Sequence, residues 1–274
     1  MMAATISASQ VKSLRDKTGI SMSDCKKALV EAAGDQTQAM DILQKQYAGQ
    51  MEKRADKEAA NGRIGAFVDG KVGALVELRC ETDFVGSSDH FKSAADALAR
   101  LASEGGVTDP DQLLQTKADD GTTGQDIIAA AYGTLKENIK LARVARIEGG
   151  VACYVHHNGL VGTVIAADGE GGGVAKQICM HTAAQQTLDG LNRDDVDATE
   201  VEKARELMKD QAKGKPENIV EKIVAGKMNK WYGERVLLEQ PFALDDKKTV
   251  GQVAKDAGIA ISGYLKFELG VKSN

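Results

Sequence analysis

The sequence predicts an α+β chain made of a small N-terminal helical unit, a duplicated hairpin-plus-helix core and a helical hairpin inserted into the second copy. Three observations predict it. RIGAFVDGKVGALVELRC (63–80) can be laid on GVACYVHHNGLVGTVIAAD (150–168), so the core reads as two related units. Apolar residues before position 50 recur at helical spacing between glycine stops. Two amphipathic segments between 192 and 231 are separated by Gly214-Lys215-Pro216.

Residues 1–50 form the first unit. VKSLRDKTG sets Val11 and Leu14 on one face, and Thr18-Gly19 stops the helix. In SDCKKALVEAAGD, Cys25, Ala28, Leu29 and Ala32 share a face, Ser23 or Asp24 can cap the start, and Gly34 ends the run. Asp35 caps a third helix whose apolar side is Ala39, Ile42 and Leu43. Three short helices of this size are marginal alone, so a docking role is expected for them. The charged stretch 51–63 has few apolar anchors and reads as a partly helical linker.

Residues 64–146 hold the first core unit and 147–274 the second. In the first, Val72, Ala74, Val76, Leu78 and Cys80 alternate onto one strand face. Phe67-Val68 matches Tyr154-Val155, Val72-Gly73 matches Val161-Gly162, and Leu75-Val76 matches Val164-Ile165, the second turn being longer by about two residues. Asp69-Gly70 and Asn158-Gly159 supply residues that tolerate positive φ at the hairpin turns. A helix follows each hairpin, DHFKSAADALARLAS in one copy and GVAKQICMHTAAQQ in the other. The first copy continues through a loop into a long helix with Ile127, Ala130, Ala131 and Leu135 on its apolar face. The insertion carries Val201, Ala204, Leu207, Met208 and Gln211 on one stripe and Ile219, Ile223, Val224 and Trp231 on the other. The chain finishes on an alternating strand, ISGYLKFELG.

Composition narrows the function. A net charge of −5 over 274 residues, with acids close to every basic cluster, argues against a phosphate-neutralising nucleic-acid stripe. Four cysteines, at 25, 80, 153 and 179, form no CxxC pair. Cys25, Cys80 and Cys179 fall among apolar neighbours, as buried free thiols in a reducing compartment do, and the cytoplasm is the expected location. No window reaches the roughly 18–20 apolar residues of a membrane span, and MMAATISASQVK has no signal-peptide pattern.

Candidate chemistry is sparse. The glycine-rich run DGEGGGV (168–174) has Val174 where a dinucleotide fingerprint needs glycine, no Lys-Ser/Thr follows, and Asp168 and Glu170 would repel phosphate, so it reads as a turn. CYVHH (153–157) lacks the partner pair a zinc site requires. Cys179 and His181, two apart on a helix, point to different sides and make no nucleophile–base dyad. His181 by itself reads as a surface or boundary residue. No metal, cofactor or enzymatic turnover is expected. What stands out is TDFV (82–85). By parity Phe84 continues the series of Cys80 and Thr82 and can be the last core residue of the strand. Gly86-Ser87-Ser88-Asp89 is loop and helix-cap chemistry, however, which places Phe84 on a connection where recognition groups concentrate. The residues alone leave both readings open.

VKSLRDKTGISMSDCKKALVEAAGD and RCETDFV, followed in order by MHTAA, EQPF and TVGQV, resemble the bacterial elongation factor Ts family, guanine-nucleotide exchange factors for elongation factor Tu. The resemblance spans nearly the whole chain. It implies a ubiquitin-associated-like N-terminal domain, a two-part α+β core and an antiparallel coiled-coil hairpin. It implies that Thr82, Asp83, Phe84 and Val85 reach the partner's nucleotide site near its Mg²⁺, with Asp83 and Phe84 foremost. Arg15, Met22 and a partner-facing His181 are implied docking residues, and a one-to-one complex or a dimer of heterodimers are both compatible with it. Three departures accompany it: Ser23 replaces a second methionine, Gly86-Ser87-Ser88 suggests a looser loop behind Phe84, and little chain follows FELG. An adaptor for a different partner is the alternative reading.

Overall fold

The computed structural model describes residues 6–169 and 172–271. The first five residues of the segment read above for a signal, and two residues of the glycine-rich run 168–174, lie outside the described residues. The architecture is α+β, with helices set against small antiparallel sheets.

Helices α1 (Ala8–Thr18), α2 (Met22–Glu31) and α3 (Gln36–Arg54) enclose a cluster of Val11, Leu14, Cys25, Leu29, Leu43 and Tyr47. Gly19 ends α1 in the left-handed region at φ 67°, as its sequence position requires. Asp35 caps α3 by accepting from the Gln38 N–H, as expected. The cap of α2 differs: Ser21, not Ser23 or Asp24, accepts from the Asp24 N–H, because the helix already begins at Met22. The third helix is also longer than expected. It runs 19 residues, into the first four of the charged stretch, since Tyr47 and Met51 find apolar partners beyond the unit itself.

The core begins with β1 (Asn61–Val68) and β2 (Val72–Cys80), then α4 (Asp83–Ser87), α5 (Asp89–Gly105), α6 (Pro110–Gln115), α7 (Gly124–Leu135) and β3 (Lys140–Glu148). The second half contains β4 (Gly150–Val155), β5 (Val161–Asp168), α8 (Gly172–Ala184), α9 (Ala198–Gln211) and α10 (Glu217–Arg235). It closes with the small ladder β6 (Pro241–Phe242) and β7 (Asp245–Thr249), then α11 (Val250–Asp256) and β8 (Ala260–Glu268). The core holds two hairpins, each built into a larger sheet. Both sheets are three-stranded and antiparallel, ordered β1-β2-β3 and β4-β5-β8, so each hairpin gains a third strand on the same edge. Gly70 and Gly159 take positive φ, 87° and 77°, at the two turns.

The alternation of β2 works as read. Ala74, Val76, Leu78 and Cys80 face α5 and its Phe91, Ala95 and Leu98. The opposite face, through Leu75 with Ile64 of β1, packs on Val164 and Phe267 of the second sheet. The second sheet turns its other face to α8 and α11 through Ile165, Ile178 and Val250. The result is helix, sheet, sheet, helix in four layers. Glycines permit the close approach between sheets: a Cβ on Gly73 would stand 2.4 Å from Val164, and one on Gly162 2.4 Å from Ile64.

Two sequence readings need correction. The apolar face of α7 is wider than read: Ile128, Ala131 and Tyr132 are buried and Ile127 and Leu135 pack half-buried, because the helix is covered by both α5 and the N-terminal unit. In the inserted hairpin, Val201, Ala204 and Met208 pack with Val224, Met228 and Trp231, whereas Leu207 is 60% exposed.

Candidate partner-binding site at the end of the second strand

The strand β2 ends at Cys80, and two residues later the chain turns into α4, a single short helix. Thr82 has extended backbone (φ −121°, ψ 154°) and caps α4 by accepting from the Val85 N–H at 3.3 Å. The Asp83 carboxylate accepts from the Phe84 N–H at 3.0 Å and is exposed. Phe84 is 84% exposed, the most open large apolar side chain among the described residues. Val85 leans into the cluster under α5, so the helix shows one aromatic outward and plants one aliphatic inward. Parity is therefore broken at Thr82: a helix, not an extended strand, carries Phe84, and the core-end reading is excluded.

The expected looser loop is not there. Gly86 is buried, and a Cβ on it would meet the Gly62 carbonyl at 3.0 Å and the Cys80 Sγ at 3.5 Å. Ser87 donates to the Asp83 carbonyl at 2.8 Å, and Ser88 donates to the Val85 carbonyl at 2.8 Å while capping α5 through the Phe91 N–H. The small residues bring α4 down onto β1 and fasten it there.

Below α4 the Cys80 thiol donates to the Thr82 carbonyl at 3.1 Å, and burial pushes its pKa up to about 12. It is a structural thiol. Glu81 receives Arg54 of α3 side-on, Nε to Oε1 at 2.5 Å and Nη2 to Oε2 at 3.1 Å, and also accepts from the Asn138 N–H at 2.6 Å. The hydrogen bond with Arg54 is the chief cause holding its carboxyl below the usual range. Glu137 accepts from the N–H groups of Glu81 (3.1 Å) and Thr82 (3.0 Å) and from the Thr82 hydroxyl (2.5 Å). Arg54, Glu81, Glu137 and Asn138 were not legible as site residues, since each meets its partner across at least 27 residues.

The remaining site expectations divide. Arg15 in the last turn of α1 is exposed, and Met22, at the start of α2, is 46% exposed. Their unit is fastened to α7: Thr134 donates to the Gly19 carbonyl at 2.8 Å, Gln44 bonds Asp126, and Lys136 donates to the Tyr47 hydroxyl at 3.1 Å. His181, expected at a partner-facing surface, is 3% exposed. Its Nδ1 accepts from the Ala243 N–H at 3.2 Å, so Nε2 carries the proton and donates to Gln240 Oε1 at 2.9 Å. Burial lowers its pKa, with the Gln240 bond opposing. The inward orientation arises because the chain from Gln240 to Ala243 folds back across α8, 59 positions later in sequence. Cys179, by contrast, donates to the Ala152 carbonyl at 3.4 Å, on another side of α8.

Among the described residues no three His, Cys, Asp or Glu side chains cluster as a metal site, and no helix is long and apolar enough to cross a membrane. Cys25, Cys80 and Cys179 are buried free thiols.

Residues 81–271 match the family model described as Elongation factor TS. Relatives called elongation factor Ts match nearly end to end. The one from Magnetococcus marinus is 37% identical over 97% of this chain and 93% of its own length. The Kineococcus radiotolerans protein is 38% identical over 97% and 99%, and that of Deinococcus deserti 39% identical over 95% and 98%.

Proposed function

Because the chain belongs to the elongation factor Ts family, we propose that it binds elongation factor Tu in the GDP-bound form and promotes release of the nucleotide, so that GTP can rebind. Membership makes it a translation elongation factor and not an enzyme. The observation that carries the proposed role is Phe84, held outward beside Asp83 on a helix fastened from below.

A GTPase grips GDP through its phosphate-cradling loop and a Mg²⁺ ion. An exchange factor makes and breaks no covalent bond. It binds better to a partner whose grip has been disturbed, and linkage makes this reciprocal: the factor by which it weakens GDP binding is the factor by which GDP weakens its own. Phe84 is the wedge. Burying one such ring stabilises the disturbed state by roughly 1.5–3 kcal/mol, about 10- to 100-fold in affinity. Asp83 brings an acceptor or a negative charge to backbone groups near the ion, and Thr82 and Val85 set the angle of entry.

Docking affinity comes from elsewhere. Residues 1–50, as a ubiquitin-associated-like domain, present Arg15 and Met22, and the hairpin at about 192–231, as a coiled coil, adds contacts through exposed Leu207 and Ile219. His181 acts from beneath by holding the Gln240–Ala243 segment in place. The linker 51–63, core subdomains 64–146 and 147–274 and a cytoplasmic setting complete the proposal.

The test is release of fluorescent GDP from elongation factor Tu, with wild type and Phe84→Ala at equal concentration. Wild type accelerates release and the variant is slower by roughly 10- to 100-fold, while its melting temperature is unchanged because the ring is already in water. Equal acceleration by both would remove the wedge role. No acceleration by wild type would favour an adaptor for another partner.

A further inference from the structure

We infer that Glu137 is the positioning residue of this site: it orders α4 and thereby fixes the direction in which Asp83 and Phe84 point. The inference rests on the exchange reading above.

Five residues cannot hold a helical turn by backbone hydrogen bonding alone, because fixing the first turn costs more conformational freedom than its bonds return. Phe84, the largest side chain on α4, is exposed and contributes no packing. The order must come from outside. Val85 and Gly86 supply contacts on the inner side. On the entry side the chain from Glu81 to Thr82 is gripped by one carboxylate, Glu137, through two N–H groups and the Thr82 hydroxyl. Donating its proton to Glu137 leaves the Thr82 oxygen oriented to accept from the Val85 N–H, so the carboxylate acts through Thr82 on the cap itself. Bonds to an ionised acceptor are the strong kind.

Glu137 is itself held in place. Lys136 ends α7 in the left-handed region, φ 59°, with its N–H on the Tyr132 carbonyl at 2.8 Å. That conformation turns the chain away from the helix and delivers Glu137 to the entry of α4. The next residue returns the grip: the Asn138 N–H donates to Glu81, whose own N–H donates to Glu137. The Asn138 amide also donates to the carbonyls of Ala55 and Lys57 at 3.3 and 2.7 Å. Residues 136–138 therefore join α7, the segment after α3 and the entry of α4 in one turn.

Two variants test this, Glu137→Ala and the isosteric Glu137→Gln, which keeps a single acceptor oxygen and serves if the alanine variant does not fold. Peptide-resolved amide hydrogen exchange should show protection of residues 82–87 falling by roughly tenfold or more in Glu137→Ala, less in Glu137→Gln, with α8 unchanged. Catalysed GDP release should fall by roughly tenfold, and the loss in Glu137→Ala combined with Phe84→Ala should be well short of the product of the two single losses. Protection of α4 unchanged, or effects of the two substitutions that multiply, would overturn the positioning role. If wild type does not accelerate GDP release, the exchange reading fails, and the hydrogen-exchange measurement still decides whether Glu137 orders α4.

Discussion

Tyr47→Phe tests one hydroxyl that ties α3 to α2 inside the N-terminal unit and, through Lys136, to the end of α7. Tyr47 is fully buried between α3 and α7, its ring edge-on to Tyr132 with centroids 5.9 Å apart. Its hydroxyl donates to Asp24 at 2.8 Å and accepts from Lys136 at 3.1 Å, and the Lys136 ammonium also stands 4.2 Å from the ring centroid. Phenylalanine keeps the ring, the packing and the cation–π contact and deletes one oxygen. A hydrogen bond to a charged group contributes about 1.5–3 kcal/mol. Asp24 is partly solvated, which selects the lower end, roughly 1.5 kcal/mol or slightly more than tenfold. Native-state hydrogen exchange over α1–α3 should accelerate by that factor, while α5, in a separate cluster, keeps its protection. The loss has a pH signature. The Tyr47 hydroxyl is the first cause holding the Asp24 carboxyl below its ordinary 3.8. A depressed carboxyl contributes stability that is complete above its unfolded value and is lost as pH falls through the folded one. In Tyr47→Phe that contribution shrinks, so the variant should lose less further stability than wild type on acidification below pH 4. Equal acceleration across α1–α3 and α5, or none, would refute the assignment of the hydroxyl as a contact that holds α1–α3 together.

Other outcomes follow from single contacts. His181 is buried neutral with its pKa lowered from 6.5; the unfolded chain binds that proton first, so stability should fall as pH drops below about 6.5 towards the lower folded value. His181→Asn should flatten that limb of a melting-temperature profile between pH 7.5 and 5.5. Gly65→Ala should destabilise the fold by about 1–3 kcal/mol or more in urea titration, because the new Cβ would stand 2.3 Å from the Ala95 carbonyl oxygen of α5.

How far the sequence could be read depended on the range of the interactions involved. The β1–β2 hairpin is local: alternation and an Asp-Gly turn define it, and the register Phe67 to Ala74 follows from them. The third strand, β3, escaped because Arg143 and Arg146 interrupt its apolar pattern. In the fold Arg143 reaches the buried Glu77 of β2, and Arg146 reaches Glu148 and the Ser103 carbonyl. The partner of Arg143 lies 66 residues earlier in the sequence. The same reason hid the burial of His181, whose acceptor Gln240 sits 59 positions away.

The site shows the two ranges in one place. Gly86 and the serines pointed Phe84 out of the strand pattern, because caps and turns are local chemistry, while parity kept the core-end reading open. The sense of those small residues was not legible. Alone they suggest slack; beside Gly62 and Cys80 they are what lets α4 sit close enough to be fastened. The wedge we propose for Phe84 requires rigidity, since a mobile ring would spend binding energy on its own ordering before disturbing anything. The acidic grip of Glu137, the inward Val85 and the absence of a side chain at Gly86 all act to remove that cost. The exposed aromatic and its buried supports are thus one device, and only its outer half is written locally in the sequence.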